Sequence, residues 1–83
     1  MRLKILKHLL DSDLFSEDEI NKTADVINEI SNIDELNQNT KDTLISFMSD
    51  LYGYLELKKM VSDGMSKEEA IDSFAKRVIN ILN

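Results

Sequence analysis

The residues best equipped for chemistry lie near the start of the chain, in the stretch DSDLFSEDEI that begins at Asp11. Half of its side chains are carboxylates. Carboxylates in this density bind calcium, attract a basic partner, or stabilise the positive end of a helix. These three chemistries make different demands on the neighbouring residues, so the local pattern discriminates between them.

A calcium loop is the first hypothesis to test. If a 12-residue EF-hand loop began at Asp11, Asp13 would fill its third position correctly. Phe15 would then occupy the fifth position, Ser16 would replace the required glycine, and Lys22 would replace the bidentate glutamate. The sequence therefore does not predict a calcium site.

Few residues of the chain suit catalysis or a cofactor. There is no cysteine, and His8 is the single histidine, with no serine or cysteine spaced to form a nucleophile pair with it. The run Asp11-Ser12-Asp13-Leu14 also departs, by an inserted aspartate, from the Asp-Ser-Leu motif of acyl carrier proteins. We therefore expect no metal, no cofactor and no enzymatic activity.

Length and composition indicate one folded domain over residues 1–83. A chain of 83 residues supports a single core, and 42% apolar against 31% charged residues is typical of globular proteins. The basic start of the chain does not read as a targeting segment, and no run approaches the roughly 20 apolar residues of a membrane span. We expect a cytoplasmic protein that does not enter a membrane.

The net charge of −6 is concentrated in one segment. Residues 9–35 hold nine carboxylates and one lysine. Such a surface repels a phosphate backbone, so we expect no direct nucleic-acid binding and a protein partner that is basic. The predicted partner-binding carboxylates are Asp11, Asp13, Glu17, Asp18, Asp25 and Glu29. The alternative is that this face is only solvated.

Two capping patterns define the helices that must position these side chains. Ser16 with Glu19 forms a capping box, with Phe15 and Ile20 placed as a hydrophobic staple, which predicts a helix over 17–31. It follows a short first helix from Leu3 to Leu10.

The second half of the chain predicts two more helices. A polar connector with a single turn from Ile33 to Leu36 leads to a cap at Asn39 or Thr40 and a long third helix that ends at Ser62. Gly53 lies in the middle of that helix, where it marks a kink or a close crossing.

The last helix is predicted over 67–82. Gly64 fits the left-handed closing position of the third helix, and Ser66 with Glu69 forms a second capping box. The third helix is apolar on two neighbouring stripes, so we expect it to be the central element. The predicted fold is an all-α, small four-helix bundle with a short first helix and a long central third helix.

The pair Tyr52 and Tyr54 flanks Gly53, and both tyrosines are predicted to anchor a partner, with core packing as the alternative. Three functions remain open. The first is a small acidic, non-enzymatic protein that binds and modulates another macromolecule, as regulators, inhibitors and immunity-type proteins do. The second is a self-associating homodimer formed through the third helix. The third is a DNA mimic that inhibits a nucleic-acid-binding protein.

Overall fold

Four helices and their short connections make up the molecule. The computed structural model describes the backbone of residues 3–82 and the side chains of residues 3–77. The helices are α1 (Leu3–Ser12), α2 (Glu17–Ser31), α3 (Gln38–Ser62) and α4 (Lys67–Leu82), and the described backbone contains no strand. The predicted all-α fold, with a short first and a long third helix, is confirmed.

The start of α2 is fixed by the predicted capping box. The Glu19 N–H donates to Ser16 Oγ at 3.2 Å, and the Ser16 N–H donates to Glu19 Oε1 at 3.1 Å. The hydrogen bond from the Ser16 backbone N–H, followed by one from the Ser16 hydroxyl, lowers the pKa of the Glu19 carboxyl. The two bonds satisfy donors that the first turn of a helix leaves free, so the chain becomes helical directly after Ser16.

The start of α3 differs from the prediction. Asn37, rather than Asn39 or Thr40, is the N-cap, and its Oδ1 accepts the Thr40 N–H at 2.9 Å. Asparagine and threonine both cap helices well, so the sequence does not choose among these three residues. The choice follows from the preceding turn, in which the Leu36 N–H donates to the Ile33 carbonyl at 3.3 Å and which ends just before Asn37.

The junction of α3 and α4 is a Schellman turn. The Gly64 N–H donates to the Val61 carbonyl and the Met65 N–H to the Met60 carbonyl, both at 3.1 Å. Gly64 has φ +114°, as its predicted closing position requires. The Ser66 hydroxyl then accepts the Glu69 N–H at 3.1 Å and caps α4.

The core forms where α3 meets the other helices. α3 contacts α1, α2 and α4, and α1 also contacts α4, so α3 is the central element as predicted. It runs unbroken through Gly53, which is buried. The buried apolar cluster consists of Leu6, Leu10, Ile20, Tyr54, Leu57, Ala70 and Phe74.

The inner face of α2 is narrower than the sequence indicates. The spacing of the apolar residues predicts one inner face made of Ile20, Ala24, Val26, Ile27 and Ile30. Ile20 and Ala24 are buried, whereas Val26 is 59% and Ile30 40% exposed. Among the described residues α2 contacts no helix other than α3, so only the stripe that faces α3 is covered.

The molecule is flattened. Its Cα atoms extend over 44 × 32 × 16 Å with a radius of gyration of 13.8 Å, against about 12 Å for a compact domain of this length. Within the described residues, no helix has the length and apolarity to cross a membrane.

Gly64→Ala tests the Schellman turn. A Cβ at this position meets nothing within 4 Å, so the cost comes from the backbone conformation alone. We expect a loss of about 1–2 kcal/mol in the free energy of unfolding. Chemical denaturation followed by circular dichroism measures this loss, and unchanged stability would show that the backbone relaxes to a negative φ at little cost.

Candidate functional site

The predicted carboxylates separate into two groups in the structure. Asp13 takes part in a hydrogen-bond cluster that holds the fold together. The other predicted members, which are all exposed, lie on α2 or at the end of α1: Asp11, Glu17, Asp18, Asp25 and Glu29. Asp13 is exposed as well, but its carboxylate is already bonded to Tyr54 and Lys58.

Three of the exposed carboxylates are aligned along α2. Asp18, Asp25 and Glu29 are seven and four residues apart, a spacing that places them on one side of a helix, opposite the buried Ile20 and Ala24. We call them the acidic stripe. It extends for about 16 Å along the helix axis and faces away from α3.

Lys22, the basic residue of α2, neutralises little of the acidic stripe. Lys22 Nζ lies 3.1 Å from Asp18 Oδ2, but both side chains are about three-quarters exposed. An exposed pair of this kind contributes about 0–1 kcal/mol and exchanges readily for other partners. The last turn of α2 contains no basic residue, so Glu29 lies at the negative end of the helix without a cation in that turn.

Exposed apolar side chains adjoin the acidic stripe. Val26 and Ile30 are one helical turn apart on α2, directly after Asp25 and Glu29 in the sequence. Sequence reasoning missed them as surface residues because their spacing fits the inner face of an amphipathic helix equally well. The position of α3 alone decides that they remain outside.

The cluster around Asp13 joins the α1–α2 connection to the middle of the fold. Tyr54 Oη donates to Asp13 Oδ1 at 2.9 Å, and Lys58 Nζ donates to the same oxygen at 3.0 Å and to the Phe15 carbonyl at 2.8 Å. Asp13 has a positive φ of 45°, which directs the chain toward α2. We call Asp13, Tyr54 and Lys58 the Asp13 cluster.

The charges of the Asp13 cluster stabilise one another. The hydrogen bond from Lys58, followed by the one from Tyr54, lowers the pKa of the Asp13 carboxyl. The same contact with Asp13 raises the pKa of Lys58, while burial, followed by the hydrogen bond to Asp13, raises the pKa of the Tyr54 phenol. Each group is therefore held in the protonation state that the cluster needs.

The two predicted tyrosine anchors have different roles. Tyr54 is fully buried, and its hydroxyl is engaged by Asp13, so we assign both residues to the fold rather than to a partner surface. Tyr52 is 48% exposed on the opposite side of α3 and remains available for contact. Sequence reasoning did not identify Lys58. Its spacing to Tyr54 predicts that the two side chains share a face of α3, but it does not predict their contact with Asp13, which is distant in sequence.

The described residues contain no group of three or more histidine, cysteine, aspartate or glutamate side chains placed to hold a metal ion. A groove of about 550 Å³ lies between the start of α2 and the second half of α3. It is lined by residues of both charges: Glu17, Leu55, Glu56, Lys58, Lys59 and Ser62.

No family model, curated protein or solved structure matches this chain. Its function is therefore inferred from its own residues.

Tyr54→Phe tests the Asp13 cluster. Removal of the hydroxyl deletes a buried hydrogen bond to a carboxylate, and we expect a loss of about 1–3 kcal/mol in the free energy of unfolding. Tyr52→Phe removes the same atom from an exposed ring and should change stability by less than about 0.5 kcal/mol. Urea denaturation of both variants checks this, and equal effects would contradict the structural role of Tyr54.

Acidification should weaken the same cluster. Because the pKa of Asp13 is lower in the folded state than its ordinary value of 3.8, its contribution to stability is present above that value and is lost as the pH falls through the folded pKa. Asp13→Asn should therefore be less stable at neutral pH and should show a shallower decline in stability between about pH 5 and pH 2. Denaturation curves of the variant and the unmodified protein across this pH range measure how steeply the stability of each falls on acidification. Equal slopes for the two proteins would contradict the contribution of the Asp13 carboxylate.

Proposed function

We propose that this protein is a small acidic, non-enzymatic module that binds another protein through the outer side of α2 and thereby modulates its activity. The partner surface is basic with an apolar centre. The acidic stripe supplies the charge, and Val26 and Ile30 supply the apolar contact.

The observation that carries this proposal is the unfavourable arrangement of side chains at the end of α2. Asp25 and Glu29 are like charges one turn apart, which costs an isolated helix about 0.2–0.5 kcal/mol. Glu29 also opposes the negative end of the helix dipole, and Val26 and Ile30 expose apolar surface to water. All three features disfavour the free protein, and all three become favourable against a basic, apolar partner.

An apolar pair beside a row of charges is also the arrangement that protein–protein interfaces use. Apolar side chains at the centre of a contact contribute affinity, while charges at its rim raise the association rate and select the partner. On α2 the apolar pair and the acidic stripe lie side by side, so one helix supplies both. Since α2 contacts α3 alone among the described helices, its outer side is open to a partner along its length.

Neutralisation of the acidic stripe tests this function. In affinity capture from the native host, the triple variant Asp18→Asn, Asp25→Asn, Glu29→Gln should lose most of a partner that the unmodified protein retains. Binding by the unmodified protein should weaken several-fold as salt is raised, because exposed charges are screened within about 8–10 Å.

The matched control makes the same charge change elsewhere, with Asp63→Asn, Glu68→Gln and Asp72→Asn, and should retain the partner. A partner held equally by both triple variants would overturn the assignment to α2. If the captured protein binds nucleic acid and duplex DNA displaces it from α2, the function is that of a DNA mimic.

A further inference from the structure

The first helix has little stability of its own. α1 has 10 residues, and an isolated helix of fewer than about 12–15 residues is marginal in water. Its charges also oppose the helix dipole, because Lys4 lies at the positive end and Asp11 at the negative end. Neither terminal turn holds a charge of the favourable sign. α1 therefore depends on the surface against which it packs.

That surface is the groove between α3 and α4. α1 contacts both of these helices and, among the described residues, does not contact α2. Its two buried side chains are Leu6 and Leu10, which belong to the same apolar cluster as Tyr54 and Phe74, with the half-buried Leu9 packed beside them. The two leucines are four residues apart and so lie on one side of the helix. α1 thus covers the groove with one side only.

The other three helices have contacts that do not involve α1. α2 begins at its own capping box, and it buries Ile20 and Ala24 while contacting α3 alone among the described helices. α3 and α4 are joined by the Schellman turn at Gly64, and Arg77 of α4 forms an ion pair with Glu56 of α3. These contacts remain when α1 leaves the groove, as the opening of one part of a protein requires.

The Asp13 cluster fastens α1 at its carboxyl end. Asp13 directly follows the last residue of α1, and its carboxylate accepts hydrogen bonds from Tyr54 and Lys58. The side chain of Asp13 is 57% exposed and that of Lys58 27%, so water takes the place of the ion pair when it breaks. Release also relieves the positive φ of Asp13, a conformation uncommon for residues other than glycine.

We propose that α1 is a lid. It opens as one unit about residues 13–16 while α2, α3 and α4 stay folded, and the Asp13 cluster controls the opening. The groove that it uncovers is apolar and contains Tyr54, Leu57, Ala70 and Phe74. The opening does not depend on the partner proposed for α2, because the acidic stripe lies on the side of α2 that faces away from α3.

Hydrogen exchange of the full chain, measured for each amide by NMR under EX2 conditions, tests the lid. Gly64→Ala and Ser66→Ala weaken the α3–α4 turn and the cap of α4, which the open state retains. Each should accelerate exchange of the slowest α3 amides by about threefold or more and leave the α1 amides within about twofold of the unmodified protein. Equal acceleration in α1 and α3 would show that all the helices open only together and would overturn the proposal. If one variant does not fold, the other decides.

Asp13→Asn tests the fastening in the same experiment. It should accelerate the hydrogen-bonded amides of α1 by about threefold or more, and by one common factor because they open together. The control Asp11→Asn removes the same charge within α1 and should slow these amides or leave them unchanged, since Asp11 opposes the helix dipole. If Asp13→Asn does not fold, Lys58→Met breaks the same ion pair. Acceleration that differs along α1, or equal effects of the two aspartate variants, would overturn the proposal.

Discussion

The hydrogen bonds that converge on Asp13 are the constraint on which the arrangement of the helices depends. They join residues 41 and 45 positions apart and hold the α1–α2 connection against α3. Among the described residues α1 and α2 do not contact each other, so the position of α2 relative to α1 is set through α3. The bond from Lys58 to the Phe15 carbonyl adds a second attachment of the same connection to α3.

The same attachment explains why the carboxylates of the acidic segment divide into those that are bonded to groups of the fold and those that point away from it. Asp13 and Glu19 satisfy donors of the fold, and both have lowered pKa values as a result. Their neighbours on α2 face water. The orientation of α2 on α3 decides which carboxylates belong to each group, and it leaves Val26 and Ile30 beside the acidic ones.

The central helix serves more than one contact at once. One side of α3 buries Tyr54 and Leu57 in the core, another receives α2, and a third remains half exposed at Ile45 and Tyr52. A helix that is apolar around most of its circumference needs neighbours on all sides. Within this chain the neighbours of α3 form a flat arrangement, which leaves that third side partly uncovered.

Local signals in the sequence determined the elements. The caps at Ser16 and Ser66 and the closing glycine at Gly64 depend on neighbouring residues alone, so the starts of α2 and α4 and the end of α3 were predictable. The start of α3 was not predictable to the residue, because Asn37, Asn39 and Thr40 can each cap a helix and lie within four positions. Only the tertiary structure decided that Tyr54 and Asp13 are bonded, that Lys58 joins them, and that Val26 and Ile30 stay exposed. Each of these three outcomes depends on which side of a helix packs against an element that is distant in sequence. The periodic spacing of apolar residues within one helix is compatible with more than one such side.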